Sequence, residues 1–217
     1  MPYQLPHGVS FCWVDARAVF LDLRRDRYLC LAPELEAGLR ALVDDGAPAR
    51  AEDAERLTRT GLLEAAPRLV RPIRPCAAAR PRSGALEVEG PTAGDPAPPL
   101  VEVAWRLARR HAGGRRTLIR NLESWRRPAD PPARAPATAS LARSFAAARR
   151  RLPLQRACLP DSLALIDFLA ARGLAAQLVI GVRLHPFQAH AWVERDGALL
   201  SDTMEAIAGL TPIWRRP

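Results

Sequence analysis

The sequence predicts an α+β protein in two domains, and three observations lead there. Short β-branched and aromatic runs crowd residues 9–31, a proline-rich stretch interrupts the chain between 67 and 99, and apolar residues then recur at helical spacing before strand-like runs return. With 217 residues and 48% hydrophobic content, the chain is long enough to bury a core.

The first domain is assigned to residues 1–78. VSFCWV (9–14), AVFLDL (18–23) and RYLCL (27–31), separated by Asp15-Ala16-Arg17 and Arg24-Arg25-Asp26, read as a three-stranded meander. PELEAGLRALV (33–43) opens with Pro33 at a first helical position and sets Leu35, Leu39, Leu42 and Val43 on one face. AEDAERLTRTG (51–61) turns Ala54 and Leu57 inward and stops at Gly61. A small sheet followed by helices is a winged-helix type of module. DNA binding fits it poorly, because Glu52, Asp53 and Glu55 crowd the first turn of the second helix and would repel phosphates. An exposed third strand beside a helix suits another use, the addition of an extended peptide to the sheet edge.

Eight prolines fall at 67, 72, 75, 81, 91, 96, 98 and 99, beside Gly84, Gly90 and Gly94. That composition supports neither a helix nor a central strand, so residues 79–99 are assigned as a linker. The second domain, 100–217, begins with three helical patterns: LVEVAWRLARRHAGG (100–114), RTLIRNLESW (116–125) and ASLARSFAAARRRL (139–152). In LPLQRACLPDSLALIDFLAARG (152–173), Pro160 fits a first turn, Leu163, Ile166, Leu169 and Ala170 form an inward stripe, and Gly173 ends the helix. AAQLVIGVRL (175–184) then reads as a strand, followed by His185-Pro186-Phe187 and the hairpin QAHAWVERDGALLSD (188–202).

Charge and cysteine usage narrow the class. The net charge is +9, and all 32 basic residues are Arg, dispersed along the chain rather than clustered, so a nucleic-acid partner is not expected. Cys12, Cys30, Cys76 and Cys158 form no CxxC pair and have no His at zinc-finger spacing, so neither metal nor cofactor is expected. The chain shows no signal-peptide pattern and no run of 18 apolar residues. A cytoplasmic protein without membrane association and with reduced thiols is expected.

Cys158 stands at a helix start, where unpaired N–H groups and the helix dipole favour the thiolate. A partner base is found in the hairpin, subject to its register. A two-residue Asp196-Gly197 turn would put His190 and Asp202 on opposite faces. A three-residue Arg195-Asp196-Gly197 loop sets His190 opposite Asp202, with Cβ atoms about 5 Å apart. In the three-residue register, Asp202 orients His190 and His190 takes the proton of Cys158, the arrangement of nucleophile, base and orienter. His185 is a second candidate base, in a loop that fixes it poorly, and Asp161 lies where its charge would oppose the thiolate.

RACLPDSLALIDFLAARGLAAQLVIGVRL followed by FQAHAWVERDGALLSD resembles the transglutaminase-like cysteine peptidase of lasso-peptide biosynthesis, the B protein. The N-terminal module is similar to the PqqD-like element that recognises leader peptides. The resemblance implies a papain/transglutaminase-like cysteine peptidase domain fused to that module. The leader of a precursor peptide would lie between the third strand (Arg27, Tyr28, Leu29, Cys30 and Leu31) and the second helix, with Ala54 and Leu57. Cys158 would attack the scissile carbonyl, His190 would serve as base and then acid, and Asp202 would orient it. The Cys158 backbone N–H would bind the oxyanion, with the Gln155 side chain as a second donor. The freed core would pass to an asparagine-synthetase-like cyclase that consumes the ATP.

Three other functions use the same features. A transglutaminase or acyltransferase would resolve the acyl-enzyme with an amine, a scaffold would bind the leader without cutting, and a transcription factor would bind duplex DNA with steep salt dependence.

Overall fold

The computed structural model describes residues 3–46, 50–66, 73–77, 79–87, 95–97, 99–113 and 135–215. The chain divides into two compact units. The first comprises Met1–Ala77 with Val182–Phe187 and Thr211–Trp214, and the second Ala78–Gly181, Gln188–Leu210 and Arg215–Pro217. The architecture is mixed α+β. The helix expected at 116–125 lies outside the described residues, as does part of the 67–99 stretch.

In the first unit, β2 (Val9–Val14), β3 (Arg17–Asp22) and β4 (Arg27–Cys30) form the expected antiparallel meander in the order β2-β3-β4. Arg17 pairs with Val14, so the first turn contains only Asp15 and Ala16, both at positive φ. Phe11 sits directly opposite Phe20, and their rings stack 5.1 Å apart, a cross-strand pair worth about 0.5–1.5 kcal/mol beyond its burial. α1 (Pro33–Asp44) buries Leu35, Leu39 and Leu42 in the same core. α2 (Ala51–Arg59) adds Leu57 and is closed by Gly61 at φ +72°. Two short strands that the pattern did not reveal, β1 (Tyr3–Gln4) and β5 (Glu64–Ala65), pair antiparallel with each other.

Parts of the proline-rich stretch are among the described residues. Ile73 joins the core of the first unit. Ser83–Gly84 forms β6, an edge strand running parallel to β9 (Ala198–Leu199). Proline-rich chain is compatible with an edge because the outer side of such a strand needs no ladder donors.

β6 and β9 belong to a five-stranded sheet of order β10-β7-β8-β9-β6, with β7 at Gln177–Arg183, β8 at Gln188–Arg195 and β10 at Thr211–Arg215. β10 was not foreseen. Three helices of the second unit, α3 (Leu100–Ala112), α4 (Ala135–Arg151) and α5 (Cys158–Ala170), pack together, and α5 also packs on β8. α5 is buried on more than the expected stripe: Ser162, Ala164, Leu165 and Phe168 are covered as well as Leu163, Ile166 and Leu169, so it is a central helix rather than an amphipathic one. Between Ser162 and Leu169 the half-buried position is Asp167, which takes a two-pronged ion pair from Arg110 of α3, at 2.7 and 2.5 Å. Glu102 of α3 in turn binds Arg106 and Arg172. Hydrogen bonding from Arg172, more than any other cause, brings the Glu102 carboxyl down to about 2. Among the described residues, no helix is long and apolar enough to cross a membrane.

Candidate functional site

Cys158 is the first residue of α5. Ala157, before it, is extended (φ −144°, ψ 119°), and no side chain caps the helix, which leaves the first N–H groups outside the helical ladder. Pro160 in that first turn has no N–H to leave unpaired. Cys158 is exposed as a residue, and its sulfur accepts the backbone N–H groups of Leu159 and Ala191 and is hydrogen-bonded to His190. Ala191 also holds the helix from its other side: its carbonyl accepts the buried Ser162 hydroxyl at 3.0 Å. Ser162 lies one turn beyond Cys158, so a single residue of β8 binds both ends of that turn.

His190 Nε2 lies 3.0 Å from Asp202 Oδ1, which leaves Nδ1 for the sulfur. The register that achieves this is not the expected one. Arg195 pairs with Ala198 and Glu194 with Leu199, so the loop is the two-residue Asp196-Gly197 turn, at φ 49° and 80°. If the ladder continued, Asp202 would fall on the wrong face. It ends instead at Leu200, whose N–H donates to the Val193 carbonyl at 2.8 Å. The next donor, the Val193 N–H, is taken by the Ser201 hydroxyl oxygen at 2.9 Å rather than by a backbone carbonyl. The chain bends out of the strand there, and Ser201 donates to Asp202 Oδ2 at 2.6 Å, fixing the second carboxylate oxygen.

The ring of His190 rests on Trp192, with centroids 6.2 Å apart. Trp192 is fully buried and donates its Nε1–H to Glu194 at 2.6 Å. Its six-membered ring lies over Gly181, where a Cβ would come within 2.4 Å of it. Gly181 is therefore a steric requirement for the position of Trp192 beside His190.

Hydrogen bonding to Asp202, and secondly to Cys158, raises the His190 imidazole to about 9. The bond to His190 is the largest cause that lowers the Cys158 thiol, acting against burial. Both shifts act in the same sense, favouring a thiolate beside an imidazolium over the neutral pair. By contrast, burial pushes Cys12 up to about 12, as suits a packed thiol. Asp161 does not oppose the thiolate as expected: Arg149 Nε holds its Oδ2 at 3.0 Å and His111 lies 3.1 Å from its Oδ1. The same Arg149 donates to the carbonyls of Leu154 and Gln155, tying down the segment that leads to Cys158.

Cys158, His190 and Asp202 line one cavity of about 310 Å³, together with the apolar side chains of Leu86, Phe145, Leu165 and Leu200. Gln155 is exposed and does not line it. His185 is exposed in the turn between β7 and β8 and is not the sulfur's partner. Of the residues expected to meet a leader peptide, Arg27, Tyr28 and Leu29 are half-buried and Cys30 is exposed, all on the edge strand β4. The Tyr28 ring meets Phe187 of the same unit at 5.4 Å. Leu31, Ala54 and Leu57 are buried within the first unit, which leaves them no accessible side-chain surface. Ser162, Ser201 and Arg149 were not singled out from sequence. Ser162 had a signal, four residues beyond the cysteine on the same helical face, and Ser201 adjoins Asp202. Arg149 had none.

Residues 100–215 match the family model described as the transglutaminase-like superfamily. The microcin J25-processing protein McjB of Escherichia coli is 49% identical over 45 residues, a stretch that covers 21% of this chain and 22% of McjB. No solved structure matches the chain. With the family model spanning more than half of its length, this chain belongs to the transglutaminase-like superfamily.

Proposed function

We propose that this protein is the leader peptidase of a lasso-peptide pathway. Its first unit, read as a PqqD-like module of winged-helix type, binds the leader of a precursor peptide, and its second unit cuts the leader from the core. The observation that carries the reading is the Cys158–His190–Asp202 chain, with its carboxylate contact at 3.0 Å, set at a helix start inside a cavity. The short match to McjB, by name a processing protein of microcin J25, supports the pathway.

In this mechanism the Cys158 thiolate attacks the scissile carbonyl and the Cys158 N–H receives the developing oxyanion. The imidazolium of His190 gives its proton to the leaving amine of the core, and the leader remains as a thioester on Cys158. Neutral His190 then takes a proton from water, which attacks the thioester, releasing the leader acid and restoring the thiolate. Asp202 stabilises the charged ring throughout. Leader binding rests on edge strand β4, where Arg27 to Cys30 offer main-chain partners to an added strand, while Leu31, Ala54 and Leu57 pack beneath. An asparagine-synthetase-like cyclase would receive the core, in keeping with a cytoplasmic setting.

The test is incubation of the purified chain with lasso precursor peptides, that of microcin J25 among them, in water enriched in ¹⁸O. Label in the released leader acid, lost in Cys158→Ala, is the expected result. Leader transfer to an added amine would favour an acyltransferase. Binding without cleavage in both proteins would favour a scaffold.

A further inference from the structure

Six charged residues line the cavity: Arg149, Arg150, Arg156, Asp161, His190 and Asp202. Four of them are matched, Arg149 with Asp161 at 3.0 Å and His190 with Asp202 at 3.0 Å. Arg150 and Arg156 are exposed and have no ion pair among the described residues. Local structure does not account for both. Helix α4 ends in Arg149, Arg150 and Arg151, which suits the negative end of its dipole, yet Arg151 does not line the cavity. Arg156 stands two residues before α5, at the positive end of that helix, where a cation is locally disfavoured.

We infer that Arg150 and Arg156 are specificity residues, a cationic rim that selects peptides carrying a carboxylate side chain within a few residues of the scissile bond, beside an apolar residue. This rests on the peptidase reading and names the substrate class of the same site. A guanidinium presents a planar fork of donors that matches a carboxylate in two bonds. Two such forks come from different elements, the end of α4 and the loop before α5, and line the same cavity as the nucleophile and the apolar side chains of Leu86, Phe145, Leu165 and Leu200. A neutral or basic substrate would leave both charges unmatched.

The test uses the full chain and epoxysuccinyl peptides extended on both sides of the electrophile, with Asp, Asn or Lys placed at each position in turn. Labelling of Cys158 is followed by peptide mass spectrometry, with exposed Cys30 as the internal reference. At low salt, at the best position, Asp probes are expected to label Cys158 roughly tenfold faster than Lys probes. The Asp-to-Lys ratio should fall toward unity in Arg150→Ala/Arg156→Ala and invert in Arg150→Glu/Arg156→Glu. Because the ratio is read within each protein, a change in overall reactivity cancels. Fast Cys158 labelling without charge preference, or a preference unchanged in the double variants, would overturn the rim and leave the peptidase reading standing. Labelling of Cys158 no faster than Cys30 would overturn both.

Discussion

Replacing Asp202 with Asn keeps the shape of the side chain and removes its charge, which isolates the carboxylate's electrostatic contribution. Raising an imidazole from 6.5 to about 9 corresponds to about 3.4 kcal/mol in favour of the charged ring, at about 1.36 kcal/mol per pKa unit. Hydrogen bonding to Asp202 is the first cause of that rise, so the substitution should remove more than half, about 2 kcal/mol, or a factor of roughly 30 against the ion pair. Both side chains are about four-fifths buried, at 21% and 20% exposure, so screening should reduce this little. The assay is alkylation of Cys158 against pH, resolved from Cys12, Cys30 and Cys76 by peptide mass spectrometry. At pH 7 the variant should react at least tenfold more slowly, and its alkaline step should move well below about 9. Stability gives a second readout: a raised histidine contributes fully below 6.5 and loses its contribution as pH rises through about 9. Wild type and variant should therefore differ most near pH 6 and converge above about 9. An unchanged alkylation profile in a folded variant would refute the claim that Asp202 sustains the ion pair.

Ser162→Ala leaves the Ala191 carbonyl without its hydroxyl donor, which should cost about 1–3 kcal/mol in denaturant unfolding and slow Cys158 alkylation, with Ser162→Thr restoring part of both. Gly181→Ala drives a methyl group to 2.4 Å from the Trp192 ring, so a destabilisation of about 1–3 kcal/mol by thermal melting should accompany a loss of His190-dependent reactivity. For Glu102→Gln the sign follows from a depressed carboxyl: its contribution is full above 4.5 and vanishes as pH falls through about 2. At 31% exposure that contribution is discounted to about 1–2 kcal/mol, and acid titrations of the two proteins should converge near pH 2.

The meander was legible because its runs are short, β-branched and aromatic and are bounded by turn residues, and the first helix because the helical period shows directly in Leu35, Leu39 and Leu42. The nucleophile was legible because Cys158 stands two residues before Pro160, which marks a helix start. What escaped depends on partners distant in sequence. β6 and β10 are short strands defined by their neighbours, and Arg149 acquires its place only when α4 is brought beside the loop before α5. Burial of α5 nearly all round likewise reflects packing by α3, α4 and β8 rather than its own pattern. The hairpin register differs from the expected one for a different reason: opposition within a ladder is not the one way for Asp202 to reach His190.

The observed geometry gives a reason why a shorter turn suffices. A ladder would place the carboxylate by backbone pairing alone, at fixed multiples of the strand repeat. Here the ladder stops at Leu200, and the Ser201 hydroxyl joins the Val193 N–H to Asp202, so the carboxylate is oriented by a side-chain relay of two bonds at 2.9 and 2.6 Å. The sulfur is set independently, because Ala191 grips both Cys158 and Ser162 and thereby fixes α5 against β8. The ring between them is held from below by Trp192, whose position depends on the missing side chain at Gly181. Each member of the chain is therefore held by a separate contact, and all three contacts start from β8: Val193 through Ser201 for the carboxylate, Ala191 for the sulfur and Trp192 for the imidazole. Substitutions that shift β8 should disturb all three members together, whereas Ser162→Ala and Asp202→Asn should each disturb one bond of the chain first. Ser201→Ala would extend that separation, loosening Asp202 while leaving the Cys158 and Ser162 contacts of Ala191 in place.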